Sequence, residues 1–250
     1  PAALDAILAR PAFPSPAAAY DPTQDLSDIS TLSQQIISHV TDGGGDATSA
    51  MQTAVVHELC ALCVAVSRLR GILAAAAFKK AMDVAFASGF EAVLLFRACN
   101  DNPITRKKVG VESWSLLYHL TQLVWGSLSE RGFEWKDAEI GKEWWAKFGQ
   151  QSKRTTQDIE EQWNLEGGAI LGLCDGGGYQ AGTPINAWLR QSAVTVIGHF
   201  AHLLPSDMLV DVITTHGFVH HLGNLLREYR PELNPDPSRL PPYGRRGSCA

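Results

Sequence analysis

Long uninterrupted apolar runs, strand-like alternation and internal repeats are all missing from this 250-residue chain. The longest apolar stretch, residues 54–78, is broken by Glu58, Arg68 and Arg70, so no membrane-spanning bundle and no membrane partner are expected. Apolar and polar residues nowhere alternate for long, which argues against a sheet. No self-similarity recurs at solenoid periods. Cysteine is sparse: five residues (60, 63, 99, 174 and 249), an odd number without the spacing of a disulfide-stapled scaffold. Charge is modest too, at 19% of residues with a net of −5, against 45% hydrophobic residues. That balance excludes a wholly disordered chain and leaves ample material for a core.

The chain begins at Pro1, as expected where an initiator methionine precedes a small residue. Its first 20 residues lack the basic start and compact apolar stretch of a secretory signal. Reduced thiols in an intracellular setting are therefore expected. An N-terminal proline acts as catalytic base in small tautomerases, but nothing downstream reads as their β-α-β fold.

What the chain does have is proline at both ends and helix between. Pro11, Pro14, Pro16 and Pro22 fall within twelve residues and favour an extended path, so residues 1–24 read as an N-terminal arm. Pro231, Pro235, Pro237, Pro241 and Pro242 give residues 231–250 the same character. Between them, residues 25–230 read as a helical body. Leu26, Ile29, Leu32, Ile36, Ile37 and Val40 repeat at helical steps after Asp25, a candidate cap. The run Asp42-Gly43-Gly44-Gly45-Asp46 breaks the chain. A second helix, apolar nearly all round through residue 77, reads as the central one. Asn102-Pro103 and Thr183-Pro184 each set a capping side chain before a proline suited to a first turn. Residues 167–182 read as the main loop, and helices over 185–203 and 206–229 close the body. The fold class predicted is all-α: a single bundle of about seven or eight helices flanked by extended proline-rich arms.

Charge is unevenly spread. Residues 1–50 hold six Asp and one Arg, whereas residues 51–155 hold fourteen basic and ten acidic groups. Arg106, Lys107 and Lys108, read as lying at a helix start where the dipole disfavours cations, are the first candidates for phosphate contact. Arg68, Arg70 and Arg97 are the secondary ones.

Other motifs support chemistry less well. His57-x-x-Cys60-x-x-Cys63 has metal-like spacing but sits in the most apolar helix, where core packing is expected. His199, His202, His216, His220 and His221 lie on the last two helices and would converge if those pack antiparallel. The segment from Gly172 to Gly178 is glycine-rich without a phosphate-binding lysine or a preceding strand, and reads as a flexible connector. Cys174 there has no evident base partner. Glu160-Glu161 and Asp137/Glu139 fall in polar helix, with no sign of the burial that acid–base work requires. No enzyme activity, cofactor or metal is expected.

Extended arm, helical body with a basic middle, extended arm: this layout resembles the coat or nucleocapsid proteins of helical viruses. The resemblance is architectural and implies a self-assembling structural protein that packages nucleic acid, with single-stranded RNA the expected ligand, within a virion assembled after synthesis in the host cytoplasm. Phe13, Tyr20 and Tyr243 are then the arm residues that would bury on neighbouring copies. Two other readings share the fold: a cytoplasmic adaptor binding partner proteins, and a helical metal protein or enzyme using the late histidines.

Overall fold

The computed structural model describes residues 2–11, 20–42, 49–85, 95, 99, 103–130, 156–201, 203–214, 218–220, 222 and 223. Of these, 87% are helical and none lies in a strand, so the fold is all-α.

The N-terminal residues depart from the extended path expected of them. Ala2–Leu8 forms a helix, α1. Its sequence is Ala, Leu and Ile with one Asp, and Pro11, Pro14 and Pro16 all come later. Ile7 and Leu8 are buried and Leu4 is partly so, on the side that packs on the central helix. Helix α2 (Pro22–Asp42) then starts one turn earlier than the apolar spacing suggests. Its cap is Asp21, whose carboxylate accepts a 2.9 Å bond from the Thr23 amide, with Pro22 in the first helical position. Asp25 is thereby freed for another task. Ile29, Leu32, Ile36 and Val40 make the buried stripe of α2.

Helix α3 (Ser49–Ile72) is the centre of the fold. Every residue from Glu58 to Ser67 is buried, as an all-round apolar helix requires. Its charges are few enough that, by length and composition alone, it is apolar enough to cross a bilayer, which the sequence reading excluded. Most of it is instead covered by the surrounding helices. Leu73 and Ala74 interrupt the chain before α4 (Ala75–Ala85), so the helix expected to continue to residue 77 is two helices.

Helix α5 (Pro103–Val109) is short, and α6 (Val111–Glu130) follows after Gly110 alone. Gly110 has φ +87°, and its amide closes α5 on the Arg106 carbonyl at 3.0 Å, a left-handed C-terminal cap. The cations Arg106, Lys107 and Lys108 therefore occupy the last turn of α5 rather than the first, as the sequence reading had it. There the helix dipole favours them, and the anomaly that made them conspicuous disappears.

Helix α7 (Thr156–Gly172) runs six residues into the segment expected to be loop. A β-carbon at Gly167 would come within 2.7 Å of the Trp163 ring, so that glycine gives room to an indole inside a helix. A 3-10 turn (Leu173–Asp175) leads to α8 (Pro184–Ala201), capped by Thr183, whose hydroxyl accepts from the Asn186 amide at 3.3 Å. Helix α9 (Ser206–Thr214) follows. Trp114, Phe78, Phe200, Leu59 and Leu62 are among the largest fully buried side chains, drawn from α3, α4, α6 and α8.

Candidate functional site

The six basic residues expected to meet phosphate have different fates. Arg106 is 6% exposed; its Nε donates to Glu166 Oε1 on α7 at 2.6 Å, so it ties α5 to α7. Lys108 reaches the other way, its Nζ donating to the Val40 carbonyl at the end of α2 at 2.9 Å. Lys107, between them, is exposed. Arg70 is half-buried near His119. Arg97 lies outside the described residues.

Arg68 belongs to a polar cluster that sequence reading missed. Its Nε donates to Asp25 Oδ2 at 2.9 Å, its Nη1 donates to the Pro11 carbonyl at 2.8 Å, and its guanidinium lies 5.5 Å from the Tyr20 ring centroid. Asp25 is only 1% exposed. It also accepts from Arg10 Nη1 at 2.9 Å and from the Tyr20 hydroxyl, while Arg10 reaches Asp28 at 2.5 Å. Burial, then the bond to Asp25, push the Tyr20 phenol well above its ordinary range, so it stays a donor. The local signal is slight, Tyr20 five residues before Asp25 and Asp28 three after it; the arginine partners are 15 to 43 residues away in sequence. Of the expected arm residues, Tyr20 thus binds its own subunit, and Phe13, Tyr243 and the whole of 231–250 lie outside the described residues.

Cys60, Cys63, Cys99 and Cys174 are free and buried. Burial pushes the thiols of Cys60 and Cys63 far up, that of Cys99 up to about 12, and, with Asp175 beside it, that of Cys174 up to about 11. A reactive cysteine needs the opposite shift. The His57 ring lies 5.9 Å from the Tyr179 ring. His199 packs 4.9 Å from Tyr118. His220 is exposed, and His202, His216 and His221 lie outside the described residues. Among the described residues no group of three or more His, Cys, Asp or Glu could hold a metal ion. Glu160 and Glu161 are at or near the surface, and residues 137 and 139 are outside the described set.

The glycine segment is no free connector. Gly176, Gly177 and Gly178 all have positive φ, and the Asn186 amide on α8 donates to both the Asp175 and Tyr179 carbonyls, at 3.2 and 2.8 Å. Arg190 Nε adds a 3.1 Å bond to the Cys174 carbonyl. The turn is held to α8 at both ends.

Some large apolar side chains stay exposed, among them Val84 on α4 and Leu165 on α7. On α9, Val210 and Ile213 are 56% and 40% exposed, three residues apart and so on one face, with Asp207 and Asp211 exposed beside them. Leu203 precedes them and Val219, 60% exposed, follows. Comparison with protein-family models, with curated proteins and with solved structures found no match.

Proposed function

We propose that this chain is a non-catalytic helical scaffold, a single bundle with a proline-rich tail over residues 231–250, that binds a partner protein through the outward face of α9. The observation that carries this reading is the exposure of Val210 and Ile213 together on one helix face. Large apolar side chains gathered at a surface favour association, and the acidic flank of Asp207 and Asp211 suits a partner with basic residues around an apolar centre. Packaging of single-stranded RNA by many copies in a virion, expected from the sequence, finds less support. Arg68, Arg106 and Lys108 are engaged within the fold, and Tyr20 is bound to its own subunit. Four free, buried cysteines accord with a reducing compartment such as the cytoplasm.

The test combines light scattering with partner capture. The purified chain should scatter as a small species near its own 27.1 kDa mass, without excess absorbance at 260 nm. Replacing Val210 and Ile213 together by serine should leave the melting temperature within a few degrees and abolish partner capture from cell extract. Large particles carrying nucleic acid, or capture that survives the double replacement, would overturn the reading.

A further inference from the structure

Asp25 joins two parts of the chain that nothing in the sequence links. Of its three donors, Arg10 and Tyr20 come from the N-terminal residues and Arg68 comes from α3. Arg68 is itself shared, holding the Pro11 carbonyl with the same guanidinium. One carboxylate, almost wholly removed from water, thus holds the chain on both sides of the proline-rich stretch, at residues 10 and 11 and again at residue 20.

A buried carboxylate is stable only while its donors are in place. Removing Arg10 leaves Arg68 as the cation still bonded to Asp25, and lifting the N-terminal residues is the way for the chain to hydrate the group fully. The apolar hold on those residues is slight: α1 is seven residues long and buries only Ile7 and Leu8. A helix of that length does not persist in water on its own. Ile7 and Leu8 join the same core as Leu59, Leu62, Phe78, Trp114 and Phe200, but neither is among its largest fully buried side chains.

We propose that α1 is a detachable cover over α3, locked by the Asp25 cluster, which opens as one unit while the rest of the bundle stays folded. Opening uncovers the side of α3 on which Ile7 and Leu8 rest, so the lock governs access to an apolar face distinct from that of α9. Such sub-global openings are a normal property of elements with few buried contacts.

Amide hydrogen exchange on the full chain tests this directly. The amides of Ala9 and Arg10, bonded to the Asp5 and Ile7 carbonyls, report closure of α1; amides in the middle of α8 report the bundle. In the unaltered protein the α1 amides should exchange at least tenfold faster than those of α8. Arg10→Gln, which disturbs only the contacts to Asp25 and Asp28, should speed α1 exchange about tenfold more and leave α8 unchanged; Tyr20→Phe should act in the same direction. Exchange of α1 in step with α8, or α1 rates that neither substitution moves, would overturn the proposal.

Discussion

Arg106, Lys107 and Lys108 are adjacent in sequence, yet the turn of a helix sends one inward to Glu166, one out to solvent and one across to the Val40 carbonyl. Their charge was legible in the sequence; their partners, 60 and 68 residues away, were not. His119 makes the same point for a neutral group. The Thr195 hydroxyl gives its one proton to the Gln191 carbonyl, so it accepts from His119 Nδ1 at 2.8 Å, and that ring nitrogen carries the hydrogen. Nε2 is then bare, buried and without a hydrogen-bond partner, with the Trp188 ring 5.7 Å away. Burial, with Arg70 adding repulsion, lowers the imidazole to about 4. The unfolded chain, with His near 6.5, binds the proton first. Stability contributed by the neutral ring is therefore complete above about pH 6.5, falls as pH drops toward 4, and is gone below that, a swing of at most about 3 kcal/mol. Urea unfolding at neutral and acid pH measures it. His119→Gln should lose clearly less stability between the two than the unaltered chain; equal losses would show that another group carries the effect.

At the scale of elements, helical periodicity located α2, α3, α6 and α8, because each presents a repeating apolar face to one core. Three misreadings share a cause, a local composition weighed without its neighbours. Proline density across residues 1–24 hid α1, whose residues contain none of those prolines after position 1. Glycine at 167, 168 and 172 suggested a loop, whereas the first of them accommodates Trp163 inside α7. The glycines at 176–178 suggested freedom, whereas Asn186 fixes the turn. That turn yields a graded prediction. Gly178 has φ +82° with open space around it, so Gly178→Ala should cost about 1–2 kcal/mol for the left-handed backbone alone. Gly176 has φ +93°, and a β-carbon there would stand 1.8 Å from the Asn186 Nδ2. Gly176→Ala should therefore cost about 1–3 kcal/mol beyond the first, through overpacking and loss of the Asn186 bonds. Thermal melts of the two variants measure the difference, and a turn that is a loose connector would make them equal.

At the scale of the molecule, the fold places Arg68, Arg106 and Lys108 where they join helices and leaves apolar side chains of α9 on the outside. Fold class was legible because an all-round apolar helix needs other helices to cover it, and the sequence contains one in α3. The candidate site was not legible, because whether a cation faces solvent or a carboxylate depends on contacts that no spacing rule encodes. The choice between a protein-binding scaffold and an RNA-packaging subunit turns on affinity for a polyanion. The direct measurement is a titration of labelled single-stranded RNA with the purified full chain at about 50 mM salt, where phosphate contacts are strongest, followed by fluorescence anisotropy. A scaffold whose basic groups hold its own helices gives no saturable rise in the micromolar range. Saturable binding that weakens steeply as salt is added would contradict it.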